Sequence, residues 1–243
     1  MTRPSSDSPN TNRLNTDVKD RPENFQQTGA KNLALLLICL CSIGMTVEAA
    51  NLSLTTAYQP DNFHRADRKL PEDMRRVLVL PLTGDSSYEQ TESSELLYNV
   101  LIEELTKTKK FEVIRVTPAQ LKARTGQSAW RAEDALPETL LDSLGKAFAC
   151  NGVLFCHLTA YRSYAPQLIG WRLKLVDTRG GEILWAMDEV FDAGRPSVVA
   201  GVRSFDQREQ KPTAGDDNWL TLHSPRRFGR YSIASALRLL PDR

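Results

Sequence analysis

The 243-residue chain carries 31 Lys+Arg against 30 Asp+Glu, a formal net charge of +1, so it lacks the global field that gathers nucleic acid or an anionic surface. Globular patterning begins only near Arg75 and leaves about 165 residues, the size of one domain with a single core. Of the four cysteines only Cys150 and Cys156 fall in that part; one ends a predicted helix and the other lies inside a strand, which predicts two buried thiols rather than a bridge.

Residues 1–31 are polar and aperiodic and are predicted to form a disordered tail. Residues 32–49 hold an apolar run of about 13 residues, shorter than the roughly 20 that a spanning helix needs, followed by Val47-Glu48-Ala49. This pattern predicts a signal peptide cleaved between Ala49 and Ala50, with an uncleaved membrane anchor as the alternative. Neither Cys39, after Ile38, nor Cys41, after Leu40, has the small preceding residue that lipid attachment requires. Residues 50–75, polar and containing Gln59-Pro60-Asp61-Asn62, read as a linker.

Residues 76–192 read as the core domain. Val77 to Leu82 is a short apolar run suited to a strand buried on both faces, and Pro81 must end it. Leu97, Val100, Leu101 and Leu105 repeat at helical spacing, with Thr91 or Ser93 as cap and Lys107, Lys109 and Lys110 at the end that favours cations. A second strand spans 111–116, and Thr117-Pro118 caps a short helix through Lys122. Residues 125–133 form a loop. Pro137 opens a helix with Leu140, Leu141, Leu144, Ala147 and Phe148 as its core stripe, ending at Asn151-Gly152. From Gly152 to Phe191 three segments alternate apolar and polar residues around two short, turn-rich connections, which favours an antiparallel meander. The fold class is therefore α/β, an α+β sandwich: a mixed sheet of about five strands with an antiparallel C-terminal meander and helices packed on it. Residues 193–222 read as a long polar excursion. Residues 223–243 read as a C-terminal helix of the same domain, opened by Ser224-Pro225, with Gly229, Ile233, Ala236, Leu237 and Leu240 on its apolar side.

The succession of a strand ending in Leu80-Pro81, a Leu-striped helix, Gly145 with Asn151-Gly152-Val153, and Leu175-Val176-Asp177-Thr178 followed by Gly181-Glu182-Ile183-Leu184-Trp185 resembles the CsgG-like family of cell-envelope proteins. Related folds occur in the penicillin-binding-protein activator LpoB, the flagellar outer-membrane protein FlgO and the amino-terminal domain of TolB. The resemblance covers residues 76–191 and rests on turn and strand signals. It implies an envelope protein that assembles or activates other envelope proteins, and it implies no cofactor.

The chemistry-bearing motifs are absent. The three histidines, His64, His157 and His223, form no HExxH, and there is no CxxC, GxSxG, GxGxxG or GxxxxGK[ST]. His157 alternates with Phe155 and Thr159 and reads as a hydrogen-bonded strand histidine. Asp188 and Glu189 point to opposite faces of one strand and cannot act as a carboxylate pair. No catalytic, cofactor-binding or metal-binding residue is assigned, and the chain is expected not to be an enzyme; a hydrolase with a scattered site is the competing class.

Candidate partner-binding residues remain. Arg226, Arg227 and Arg230 line the start of the last helix, either as a solvated rim or as a surface for phosphate or anionic lipid; no aromatic stripe accompanies them, so single-stranded nucleic acid is not expected. Tyr161, Tyr164 and Trp171 surround one hairpin and form a candidate protein-binding edge, with core packing as the competing reading for Trp171. The expected function is a non-catalytic, exported envelope module, periplasmic or membrane-tethered, that binds envelope proteins or self-associates; a nucleic-acid- or anionic-surface-binding domain is the alternative. Sequencing the amino terminus of the protein recovered from cells should show a chain that begins at Ala50, and recovery of the intact leader in the cytosol would contradict export.

Overall fold

The computed structural model describes residues 56–84, 92–209 and 218–243. Seven strands lie among them: β1 (Phe63–Arg65), β2 (Arg76–Val79), β3 (Thr83–Gly84), β4 (Glu112–Arg115), β5 (Gly152–Arg162), β6 (Leu168–Asp177) and β7 (Ile183–Asp192). Six helices accompany them: α1 (Glu92–Thr108), α2 (Pro118–Thr125), α3 (Leu140–Phe148), α4 (Pro196–Glu209), α5 (Asn218–His223) and α6 (Pro225–Leu237). The strands form one mixed sheet in the order β1-β7-β6-β5-β2-β4, with β3 paired to β5. Pairing of β2 with β4 and with β5 is parallel, whereas β5, β6, β7 and β1 are antiparallel, so the meander continues a parallel half-sheet.

The period-two pattern decides where the core sits. Ile169, Trp171, Leu173 and Leu175 of β6 face the same side as Met187, Trp185 and Phe191 of β7, and α1, α4 and α6 cover them with Leu97, Leu101, Val202, Phe228, Ile233 and Leu237. Trp171 is fully buried and donates its indole N–H to Ser232 Oγ at 2.9 Å, which decides for core packing and against a binding edge at that residue. On the opposite face α2 and α3 close a second core around Leu78, Leu80, Leu121, Trp130, Leu144, Phe155 and Val176. Over β6 and β7 that face stays polar, with Arg172 opposite Asp188 and Lys174 opposite Ala186.

Local signals set most of the ends. Thr117 accepts from the Gln120 N–H while Gln120 returns a bond to the Thr117 backbone, a complete capping box, and α2 runs on to Thr125 before Gly126 turns left-handed. Ser224 caps α6 through the Arg227 N–H. Ser93 lies inside α1 rather than capping it, and Thr91 lies outside the described residues. The third helix starts at Leu140, not at Pro137, and the left-handed residue that ends it is Ala149; Asn151 and Gly152 are already held by β2 and β6.

Three expectations are corrected. Much of the linker assigned to residues 50–75 is part of the body: Leu70 and Met74 are buried, and β1 pairs with β7, which supplies the partner for that edge's backbone groups. The polar excursion at 193–222 contains α4 and α5, whose Val198, Val202 and Phe205 enter the core; their spacing is helical but diluted by polar residues. Tyr161, read as part of a protein-binding edge, packs against the core instead. A bulge between Leu158 and Ala160 places Thr159 and Ala160 together opposite Gly170, shifts the strand by one residue and turns Tyr161 onto the core.

Gly170 permits the bulge, since a Cβ there would lie 2.9 Å from the Ala160 nitrogen and within contact of the Thr159 hydroxyl. Gly170→Val is expected to lower unfolding stability by about 1 to 3 kcal/mol, the range for overpacking a closed site, as read by denaturant titration.

Candidate functional site

His157, Cys150 and Cys156 are taken up by packing, whereas His64 and His223 are exposed. His157 is buried, and its Nδ1 lies 2.9 Å from Thr83 Oγ1. The Thr83 hydroxyl donates its one proton to the Cys156 carbonyl at 3.1 Å, so it accepts from the imidazole, and Nδ1 carries the hydrogen. Cys150 and Cys156 are free buried thiols, and burial pushes both thiols up, away from the thiolate. Among the described residues no group of His, Cys, Asp and Glu is placed to hold a metal ion.

Glu189 and Asp188 have separate duties. Glu189 is buried and accepts the Tyr58 hydroxyl, the Asp61 N–H at 2.8 Å and the Asn62 N–H at 2.7 Å. Burial alone would raise its carboxyl, but those donors outweigh it and hold the group below the usual carboxylate range. On the other face, Asp188 takes the Arg172 Nε at 2.7 Å, and Arg172 also reaches Glu133 at 3.1 Å. One carboxylate therefore fastens residues 58–62 over the β7 edge, and the other closes an ion cluster.

The predicted binding residues scatter. Arg226 pairs with Glu103 at 2.7 Å, and Arg230 pairs with buried Glu104 at 3.0 Å and with Glu209 at 3.2 Å, so two of the three arginines bolt α6 to α1 and α4. Arg227 is exposed and lines a concavity of about 280 Å³ with Phe205, Asp206, Glu209 and Thr221. Tyr164 stands 71% exposed at the tip of the β5–β6 hairpin, with the Arg162 guanidinium 6.0 Å from its ring, whereas Tyr161 packs inward. Ala49 and Ala50 lie outside the described residues.

Three outward features escaped the sequence reading. Trp219 and Leu220 of α5 are 63% and 42% exposed; a lone Trp-Leu pair within a polar stretch was the available signal. At the carboxyl ends of β2 and β4, where ligands of open α/β sheets commonly bind, a groove of about 460 Å³ is lined by Pro81, Leu82, Glu95, Arg115 and Pro118. The β4 strand is a sheet edge. The Glu112 N–H reaches Arg75 O at 2.7 Å, so by alternation Val113 and Arg115 aim their N–H and C=O groups away from β2, and among the described residues no strand pairs with them.

No protein-family model matches the chain, and comparison with curated proteins finds no match. Solved structures give similar folds. The chain is similar to a PelC dodecamer subunit from Paraburkholderia phytofirmans at 11% identity, covering 76% of this chain and 98% of that one with a TM-score of 0.42. It is similar to the lipoprotein GNA1162 from Neisseria meningitidis at 16% identity, over 56% and 96% of the two chains, with a TM-score of 0.40. It is also similar to the LpoB C-terminal domain from Escherichia coli at 20% identity, over 48% and 82%, with a TM-score of 0.31. At these identities and scores the likeness assigns neither activity nor partner. Among the described residues no helix is long and apolar enough to cross a membrane, and the run at residues 33–45 lies outside them.

The Glu189 clamp gives a signed pH dependence. Between the ordinary Glu pKa of about 4.3 and the lower folded value, only the unfolded chain binds the proton, so the clamp's contribution is complete above the former and lost as pH falls through the latter. Glu189→Gln should therefore be less stable than the parent at pH 7 by about 1 to 3 kcal/mol, the range for hydrogen bonds to a charged group, and the gap should close as the pH drops below 4. Thermal melts of both proteins from pH 3 to 7 measure it.

Proposed function

We propose that this chain is an exported, non-catalytic module of the cell envelope, periplasmic or membrane-tethered, that works by binding other envelope proteins or further copies of itself. The observation that carries the reading is the contrast between inside and outside. His157, Cys150, Cys156, Glu104 and Glu189 are buried and bonded within the fold, while the β4 edge and Tyr164 are left outward. The apolar run at residues 33–45 and the resemblance to CsgG-like and LpoB-like proteins support placement in the envelope.

Within this reading the partner contacts the β4 edge. A second chain can extend the sheet through the outward backbone of Val113 and Arg115, and the groove beside Pro81 and Pro118 would take its side chains. Tyr164 and Arg227 remain candidate contacts. Arg226 and Arg230 are neutralised by α1 and α4 and contribute to the fold instead. The C-terminal helix cannot be the separable binding element, since Phe228, Ile233, Ala236 and Leu237 lie in the core and deleting it would unfold the domain.

Proline at alternate β4 positions tests the edge. Val113→Pro removes an outward N–H and should cost about 1 kcal/mol or less, whereas Ile114→Pro breaks the ladder to β2 and should cost about 3 kcal/mol or more. Full-length protein purified from envelope extracts should retain a partner or self-associate, and Val113→Pro should lose it without losing its melt. Unchanged capture by Val113→Pro would remove the edge from the mechanism, and a parent that neither captures a protein nor self-associates would remove the binding reading itself.

A further inference from the structure

The β4 edge is not chemically uniform. Val113 packs against the α1 side of the sheet, and Arg115 lies on that side too, with its guanidinium 4.9 Å from the centre of the Tyr98 ring. Ile114 packs against the second core on the opposite face. The remaining residue, Glu112, is neutralised across the ladder by Arg76 at 3.2 Å. A strand added to this edge therefore meets one apolar residue on each face and, at the carboxyl end of β4, a guanidinium.

Uncharged partners hold that guanidinium in place. Arg115 Nη1 donates to Asn99 Oδ1 at 2.7 Å, and the fork lies over the ring of buried Tyr98, which fixes it while most of its N–H groups stay uncommitted. Among the described residues Arg115 forms no ion pair, whereas Arg76, Arg172, Arg179, Arg226 and Arg230 each do. Glu92 and Glu95 are exposed in the first turn of α1 and line the same groove, but neither pairs with Arg115. The charge at the end of β4 is thus unanswered among the described residues.

We propose that the strand received by β4 carries a carboxylate side chain directly across from Arg115 and a β-branched or aromatic side chain two residues away, across from Val113. The inference rests on the edge reading above and deepens it by naming the chemistry of the partner. Residues directly opposite one another in neighbouring strands share a face, so the separation of two follows from the period of a strand. The outward N–H and C=O groups of Val113 and Arg115 give affinity for any extended chain, and the pairing of carboxylate with guanidinium selects among such chains. An apolar strand without the acid gains the backbone bonds but not the ion pair, so the short edge discriminates.

The test titrates the full-length chain into a blocked, fluorescein-labelled peptide, Thr-Val-Thr-Asp-Thr-Val-Thr, and into counterparts with Asn or Lys at the centre, read by fluorescence anisotropy. The sequence reads the same from either end, so parallel and antiparallel addition place the same side chains. Affinity should fall in the order Asp, Asn, Lys, with about threefold between successive peptides, the value of one cross-strand charge pair, and the steps should shrink as salt rises. Arg115→Glu should invert the order, which a loss of fold would not do. An order unaffected by Arg115→Glu, or a parent that binds all three peptides equally or none of them, overturns the proposal. A parent that prefers the Lys peptide assigns the groove to Glu92 and Glu95 and overturns it as well. Val113→Pro separates this proposal from the reading it rests on: if the parent shows no preference and Val113→Pro loses all three peptides, the edge stands and only the charge selection falls, whereas binding unchanged in Val113→Pro removes the edge and this proposal with it.

Discussion

The inner face of the β5–β6–β7 meander has to be kept from water, and the close crossing of α6 over α1 achieves it. Ile169, Trp171, Leu173, Leu175, Trp185 and Phe191 present more apolar surface than one helix can cover. Gly229 lets the two helices approach until its missing Cβ would stand 2.7 Å from a Leu97 methyl. At that distance Arg226 and Arg230 reach Glu103 and Glu104, and Ser232 reaches the Trp171 indole. Helix α4 closes the remaining gap, where Gly201 admits the Tyr231 ring. The C-terminal residues are thereby committed to the core and cannot serve as a detachable arm.

The same constraint governs the buried carboxylates. A buried carboxylate is tolerated only with donors around it, and the fold supplies them: Lys107 and Arg230 to Glu104, and Tyr58 with two backbone amides to Glu189. Arg179 holds Asp177 in the same manner at the turn after β6, where its hydrogen bonds outweigh the effect of burial and keep the carboxyl low. These groups stabilise one arrangement and are spent in doing so.

The two edges of the sheet differ in a way that bears on assembly. The β7 side is protected by residues 58–65, joined through Glu189, the Asn62 side chain and three paired residues of β1. The β4 side has four residues, charged at both ends by Glu112 and Arg115, with no covering segment among the described residues. Short length and flanking charge are the usual protection of a free edge against indiscriminate pairing, so β4 suits a selective partner better than aggregation. Trp219, on α5, is exposed as well.

Periodicity and turn chemistry in the sequence determined the strands of the meander, α1, the Thr117 and Ser224 caps, and the inward side of α6, because each depends on residues within a few positions of one another. They also determined that His157 belongs to a strand. The tertiary structure alone decided which side Tyr161 faces, since the one-residue shift comes from Gly170 on the neighbouring strand, and local alternation carries no record of it. It alone joined residues 58–65 to the sheet, through a carboxylate more than 120 positions away. It alone neutralised Arg226 and Arg230, whose partners lie on α1 and α4, and left Arg227 exposed. Local order is written in spacing along the chain; which of the charged and aromatic residues remain outward depends on partners that only folding brings together.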